Sequence, residues 1–203
     1  MLNIPFIYFP MNINEESSLL HYAPFFTNQL EVIRYIAKSI PINYVLYVKE
    51  HPLQKIKLWR SIEDYKKIKS IPNVRFLHPS VNAQEVLEKS QGVIAISGAT
   101  GFEALFYHKP VFLFGDEYYD KLSMVTKVEK IIDLPQIIKS ALSNFKFDER
   151  EFDTYMEVLK KYALSVPYHS IIKEAVSLSS IQRNGKEFSL TNLHFQKFYE
   201  KII

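Results

Sequence analysis

Residues 94–105 have the sequence IAISGATGFEAL, which decides the fold of the chain. The first three residues are apolar and mostly β-branched, which predicts a short buried strand. Small residues follow, and Gly98 and Gly101 permit backbone conformations and close approaches that other residues do not. A helix start comes next, where unpaired backbone N–H groups and a partial positive charge favour an anion. The stretch therefore predicts a strand, a turn and a helix, with phosphate as the first candidate ligand of the turn.

The same turn also has a purely structural interpretation. Thr100 and Glu103 match a capping box, in which each of the two side chains satisfies a backbone donor of the other residue. The glycine spacing fits neither the dinucleotide fingerprint nor the Walker loop. Phosphate binding and helix capping therefore both remain open for this turn.

The composition is that of an ordinary globular protein. The chain has 203 residues, of which 47% are hydrophobic and 23% are charged, and its formal net charge is +3. This length suffices for one well-packed main domain. Lysine and glutamate are interspersed rather than grouped, so no nucleic-acid partner is expected. The mild positive charge suits a small anionic ligand.

Cysteine usage and the N-terminal sequence exclude several classes of protein. The chain has no cysteine, which excludes disulfides, thiolate metal sites and a cysteine nucleophile. The start, MLNIP, lacks a basic region followed by a long apolar run, so no signal peptide is predicted. No apolar run approaches about 18 residues, so no membrane-spanning helix is predicted. We expect a cytoplasmic protein, with peripheral association at the inner face of the cell membrane as an open alternative.

Strand and helix patterns alternate along most of the chain. Strands are predicted at residues 4–9, 44–48, 74–77, 94–96 and 110–114. Helices are predicted at residues 24–39 and 62–68, after Asn82, after the turn near residue 100, and around residues 137–142, 155–162, 171–176 and 195–202. The alternation predicts an α/β fold with a doubly wound parallel sheet. Residues 1–145 are assigned to this domain, and residues 146–203 to a C-terminal helical extension packed on it.

Polar side chains follow each predicted strand at its carboxyl end. Because ligands of doubly wound sheets bind beyond the carboxyl ends of the strands, these loops are expected to share one binding edge. The loops carry Glu16, then Lys49 and His51, then His78, then residues 97–100, and finally the acidic residues Asp116, Glu117 and Asp120. Hard-cation sites need several convergent oxygens, so the acidic loop is interpreted as exposed and no bound metal is predicted.

Several ordered motifs resemble the capsule polysaccharide biosynthesis family, which includes bacterial Kdo transferases. They are LYVKEHP at residues 46–52, IPNV at 71–74, SGATGFEAL at 97–105, KPV at 109–111 and FG at 114–115. The similarity spans roughly residues 4 to 138, in order and spacing. One departure is His108, where the family usually has glycine before Lys-Pro, so we expect a left-handed backbone conformation at this histidine.

The resemblance implies a Rossmann-like domain that forms the nucleotide-sugar-binding half of a GT-B glycosyltransferase. By similarity, Lys49 and His51 would lie near the phosphate and sugar of the donor, Glu103 would reach ribose hydroxyls, and the loop at His78 would flank the base. The phosphate would be held by Ser97, Gly98, Ala99, Thr100 and Gly101. The acceptor-binding domain is expected before Ile4, so a partner chain with a second Rossmann-like domain is expected to complete the enzyme.

Individual side chains suit this chemistry to different degrees. An imidazole with its ordinary pKa of about 6.5 can bind phosphate as a cation or exchange a proton near neutrality, and His51 supplies one. Lys49 offers a point charge to an anion, or is a solvated lysine at a strand end. Glu16 is the candidate general base or acceptor-orienting carboxylate, or a surface residue. The catalytic candidates are therefore His51 and Glu16.

The predicted function is glycosyl transfer in the biosynthesis of a bacterial capsule or surface polysaccharide. The expected substrates are a nucleotide-activated sugar such as CMP-Kdo and a polysaccharide or glycolipid acceptor, with no tightly bound cofactor. Two alternatives stay open. One is a donor-binding subunit or remnant without catalysis, and the other is a protein related to nucleotide-sugar epimerases.

Overall fold

The computed structural model describes residues 4–14, 17–51, 54 and 60–163. In this part of the chain the strands are β1 (Phe6–Pro10), β2 (Val45–Lys49), β3 (Val74–Leu77), β4 (Val93–Ala95), β5 (Val111–Leu113) and β6 (Val125–Lys127). The helices are α1 (Ser17–Tyr22), α2 (Gln29–Ser39), α3 (Ile62–Lys69), α4 (Ala83–Lys89), α5 (Ala99–Leu105), α6 (Leu134–Asn144) and α7 (Glu149–Tyr162). Short 3-10 turns occupy Pro24–Phe26 and Ile131–Asp133.

The described strands form one sheet with the order β3-β2-β1-β4-β5-β6. Every neighbouring pair is parallel, and in the register Phe9 lies opposite Val48 and Ile94 lies opposite Phe112. Successive strands run outward from β1 to β3, and the chain then returns to place β4 on the other side of β1. The predicted doubly wound parallel sheet is confirmed, and its strand order reverses between β1 and β4.

The central strands are buried on both faces, which explains their continuous apolar sequences. All residues of β4 and β5 are buried, whereas the edge strands β3 and β6 are partly exposed. One large core cluster joins the sheet to α2 and α6. Its buried members include Ile7, Phe9, Ile33, Ile36, Ile94, Ile96, Leu134 and Ile138.

The structure adds one strand to the prediction and corrects one helix. The strand β6 was not predicted, because only one of its three residues, VTK, is buried and the segment has no continuous apolar run. The predicted helix at residues 24–39 is in fact a 3-10 turn followed by α2. The reason is local, since Asn28 has a non-helical conformation and its side chain accepts a hydrogen bond from Glu31 N as the N-cap of α2.

His108 has a left-handed backbone conformation, with φ of 53°. This confirms the expectation for the position before Lys109. The histidine ring stacks on Phe147 with ring centroids 4.2 Å apart, and its Nε2 lies 3.4 Å from Glu149 Oε1. Both contacts hold the side chain in place in spite of the backbone strain.

The chain divides into two compact units, Met1–Phe152 and Asp153–Ile203. The predicted boundary after residue 145 stays a prediction. The helix predicted around residues 155–162 is confirmed as part of α7, whereas those predicted around 171–176 and 195–202 lie outside the described residues. In the described ranges, no helix combines the length and apolar character needed to cross a membrane.

Candidate functional site

The carboxyl edge of the sheet gathers the loops that were expected to share it. Because all strands are parallel, the loops after β1 to β5 leave from the same edge. The strand order reverses between β1 and β4, and ligands of doubly wound sheets bind at this point of the edge. Residues 11–14 follow β1 and residues 96–98 follow β4, so both loops lie at this point.

The turn after β4 is built around Ser97 and Gly98. Ser97 is buried, and Asn12 Nδ2 donates to its backbone oxygen and to its Oγ, each at 3.2 Å. Gly98 has φ of 100°, a conformation that favours glycine, so the expected special backbone role of this glycine is confirmed.

Both backbone polar groups of Gly98 already have partners within the chain. Its N–H donates to a carboxylate oxygen of Glu117, and its carbonyl oxygen accepts a hydrogen bond of 2.7 Å from the Tyr119 hydroxyl. The expectation that this amide is unpaired is therefore wrong. An anion from outside the chain would have to displace the Glu117 carboxylate to reach it.

The helix that follows the turn starts earlier than the capping-box motif suggests. Gly98 is the N-cap and Ala99 is the first residue of α5, so Thr100 lies inside the first turn. The predicted capping box with Thr100 as N-cap is wrong, because the left-handed Gly98 ends the preceding turn two residues sooner. Glu103 lies on α5, and its side chain is exposed.

Gly101 is buried and packs against Tyr119. A Cβ atom at this position would overlap the Tyr119 hydroxyl and lie 3.1 Å from Cζ. Tyr119 is itself fully buried, and burial raises the pKa of its hydroxyl, with a further contribution from the Glu117 charge. The glycine therefore has a steric role in bringing the loop after β5 onto α5.

Lys49 and His51 flank the carboxyl end of β2. The Lys49 side chain is buried, its Nζ donates to Pro79 O at 3.0 Å, and burial lowers its pKa. Its ammonium group thus joins β2 to the loop after β3. His51 is half-buried, and its backbone N–H donates to Glu50 Oε1 at 2.9 Å. Their proposed contacts with a donor stay predictions.

A buried ion pair lies beside His51 and was missed by the sequence reasoning. Arg60 Nε donates to Glu50 Oε2 at 2.8 Å, and the two side chains are 5% and 0% exposed. The Tyr65 hydroxyl donates a hydrogen bond of 3.0 Å to the same oxygen. Burial and the charge of Glu50 raise the pKa of Tyr65 to about 12. A carboxylate at the end of a strand needs a cation only when it is buried, and the sequence around Glu50 does not indicate burial.

The remaining predicted residues lie in different settings. His78 is exposed, and its Nδ1 lies 2.7 Å from Ser80 Oγ, within its own turn. Glu16 lies outside the described residues, so its catalytic role stays a prediction. In the acidic loop after β5, Lys127 pairs with Asp116 and Asp120. Across the described ranges, no group of three or more His, Asp or Glu side chains is placed to hold a metal ion.

The fold and its edge loops define a Rossmann-like α/β domain of the kind that forms one half of the GT-B fold. A family model described as capsule polysaccharide biosynthesis protein matches residues 3–133. The chain therefore belongs to the capsule polysaccharide biosynthesis family, as its motifs predicted. A search of curated proteins gives no match.

Two solved structures illustrate the similarity of fold. The KpsC beta Kdo 2,7 transferase of Thermosulfurimonas dismutans is 20% identical, with a TM-score of 0.50 over 64% of this chain and 41% of that chain. The UDP-GlcNAc 2-epimerase of Methanocaldococcus jannaschii, solved with UDP-GlcNAc and UDP, is 15% identical, with a TM-score of 0.51 over 77% of this chain and 45% of that chain. The chain thus spans less than half the length of either structure.

Proposed function

We propose that this chain is the donor-binding half of a glycosyltransferase that acts in the biosynthesis of a capsule or related surface polysaccharide. The observation that carries the proposal is the family match over residues 3–133, which covers the sheet and its carboxyl-edge loops. A nucleotide-activated sugar is the proposed donor, and CMP-Kdo is the donor that we favour, because the similar KpsC structure is a Kdo transferase.

The proposed chemistry relies on electrostatic stabilisation of the departing phosphate. His51 would bind the phosphate or exchange a proton near it, and Lys49 would add positive charge at the end of β2. Glu16 would act as general base, and Glu103 would accept hydrogen bonds from ribose. Positive groups and N–H donors that face the leaving phosphate lower the barrier to transfer.

The acceptor half of the proposed enzyme would come from a second Rossmann-like domain. Relatives of similar fold are more than twice as long as the matched part of this chain. We propose that such a domain, in a partner chain, supplies the site for a polysaccharide or glycolipid acceptor. Synthesis would then take place in the cytoplasm, with peripheral association at the inner face of the membrane.

The first test is a thermal-shift screen with CMP, UDP, GDP and CDP. A ligand that binds the native state increases the free energy of unfolding by RT ln(1 + [L]/Kd), and the melting temperature rises as a result. We expect one nucleotide to stabilise the protein, with CMP giving the largest shift. The absence of a shift with all four nucleotides at millimolar concentration would reject donor binding by this chain.

His51→Ala is expected to weaken binding of that nucleotide by roughly tenfold or more, because a charge-assisted hydrogen bond to phosphate is lost. Isothermal titration calorimetry measures the change. His108→Asn is the matched control, since His108 precedes β5 at the opposite edge of the sheet and asparagine tolerates its left-handed conformation. Equal affinities for wild type and His51→Ala would remove His51 from the site.

Glu117→Ala is expected to tighten nucleotide binding by roughly three- to tenfold, because the Gly98 N–H then becomes available to phosphate and a repelling charge is removed. Glu88→Ala removes the same charge in the last turn of α4 and should leave the affinity unchanged. An unchanged affinity in Glu117→Ala would mean that the donor phosphate does not use the Gly98 amide.

A nucleotide-sugar epimerase is the second candidate, favoured by the fold match to the UDP-GlcNAc 2-epimerase. A preference for UDP over CMP in the screen would support it. Product analysis separates the two reactions, since epimerisation changes the donor sugar without an acceptor. A chain that binds nucleotide but forms no product with any second domain would be a donor-binding subunit without catalysis.

A further inference from the structure

One network of hydrogen bonds crosses the carboxyl edge from β2 to β4, and Asn12 lies at its centre. Asn12 follows β1, and β1 lies between β2 and β4 in the sheet. The Asn12 side chain is buried and its Nδ2 holds Ser97 through the two 3.2 Å hydrogen bonds. The turn after β4 is therefore attached directly to the loop after β1.

The backbone of Asn12 is fixed from the other side by two side chains. Gln29 accepts from Asn12 N at 2.9 Å and donates to Asn12 O at 3.0 Å, while Arg60 Nη2 donates to the same oxygen at 2.5 Å. Arg60 Nη1 also donates to Asn14 Oδ1. The guanidinium group thus holds two residues of the loop after β1.

The same guanidinium group holds the loop after β2. Its Nε and Nη2 donate to the two carboxylate oxygens of Glu50, at 2.8 and 3.4 Å. Glu50 Oε1 in turn accepts the backbone N–H of His51 at 2.9 Å. An unbroken path therefore leads from His51 through Glu50, Arg60 and Asn12 to Ser97.

We infer that Arg60 is a positioning residue that fixes the His51 loop relative to the Ser97 turn, with Asn12 as the relay. The inference deepens the proposed function and rests on it in one respect, since both ends of the path belong to the proposed donor site. A ligand that contacts both loops binds best when their relative position is set in advance.

The chemistry of the path favours positioning over simple space filling. An apolar pair of similar volume fills a buried space at least as well as an ion pair. A planar guanidinium with a fork of donors instead specifies the direction and distance of each partner. Here its partners come from two different loops, Asn12 and Asn14 on one side and Glu50 on the other.

The decisive experiment changes one end of the path and observes the other without any ligand. Backbone amide resonances of Ser97 and Gly98 are measured by NMR in Glu50→Gln, and the amide resonance of His51 is measured in Asn12→Ala. We expect the remote amides to shift in both variants. Arg75→Ala, which removes an exposed arginine that donates to Pro72 O at the amino end of β3, should shift neither set.

Shifts that stay confined to the mutated loop would overturn the inference. Thermal unfolding of each variant shows whether it is folded at the temperature of the spectra. If Glu50→Gln does not fold, Arg60→Lys takes its place, because lysine keeps the buried cation but loses the fork of donors. In Arg60→Lys the amides of both His51 and Ser97 are expected to shift.

A second readout connects the path to binding. Affinity for the nucleotide selected from CMP, UDP, GDP and CDP is expected to fall roughly tenfold in Arg60→Lys and to stay unchanged in Arg75→Lys, at the amino end of β3. A purely structural role of Arg60 would lower stability and leave both the affinity and the remote amides as in wild type. If no nucleotide binds to wild type, the proposed function fails, while the amide resonances still decide whether the two loops are coupled.

Discussion

Arg60→Met is expected to lower the free energy of unfolding by about 3–5 kcal/mol, because it leaves a buried carboxylate without its cation. The Glu50 side chain has no exposed surface, so water cannot replace the lost guanidinium without rearrangement of the structure. Tyr65 and the His51 amide still donate to Glu50, but neither carries a compensating charge. Since domains are stable by about 5–15 kcal/mol in total, a loss of this size should be plain in urea denaturation at neutral pH.

Two further variants make the expected result specific. Arg34→Met removes an exposed arginine whose ion pair with Glu31 has side chains 39% and 48% exposed, so it should change stability by less than about 1 kcal/mol. Glu50→Met combined with Arg60→Met removes both buried charges and should recover most of the stability lost in Arg60→Met. Equal losses in Arg34→Met and Arg60→Met would contradict a buried ion pair.

The parallel sheet was predictable because most of its strands have continuous apolar sequences. Ile94 and Ile96 are buried in the core, and the run from Tyr44 to Val48 has almost no polar interruption, as strands covered on both faces require. Helical spacing between these runs fixes the alternation, and alternation with short connections allows few topologies other than a parallel sheet. The edge strand β6 was not predicted because only one of its three residues is buried.

The candidate site was predictable in its location but not in its contacts. Parallel strands bring the loops at their carboxyl ends to one edge of the sheet, and this placement does not depend on which contacts the side chains of the loops make. By contrast, the partner of Gly98 N–H is Glu117, which lies nineteen residues further along the chain. A glycine turn before a helix indicates that amides are available, but it carries no information about a side chain that docks on them from another loop.

The ion pair of Glu50 and Arg60 shows the same limit for charged residues. In the sequence, Glu50 stands between Lys49 and His51 and is indistinguishable from a solvated acid at a strand end. Its burial depends on Arg60, ten residues away, and on the loop after β1, which Arg60 joins across a separation of 48 residues. Such contacts are a property of the assembled edge, where the loops after β1 and β2 exclude water together.

Gly115→Ala is expected to destabilise the protein by about 1–3 kcal/mol, since an added Cβ would meet backbone atoms that cannot move away cheaply. The new atom would lie 2.7 Å from Ile96 O and 3.0 Å from both Tyr22 O and Ala23 Cβ. Gly115 N also donates to Ile96 O at 2.7 Å, so the loop after β5 cannot shift without loss of this hydrogen bond.

The test of Gly115→Ala is urea denaturation beside the graded comparison Gly92→Ala. At Gly92 the nearest atoms to an added Cβ are 3.2 Å away and one of them belongs to the Pro110 ring, so the loss of stability should be smaller. A loss at Gly115 no greater than at Gly92 would mean that the loop after β5 has room to move. In that case the hydrogen bond that Gly98 N–H donates to Glu117 and the one that Gly98 O accepts from Tyr119 could also rearrange. Displacement of Glu117 by the phosphate of the proposed donor would then require less free energy than these contacts indicate.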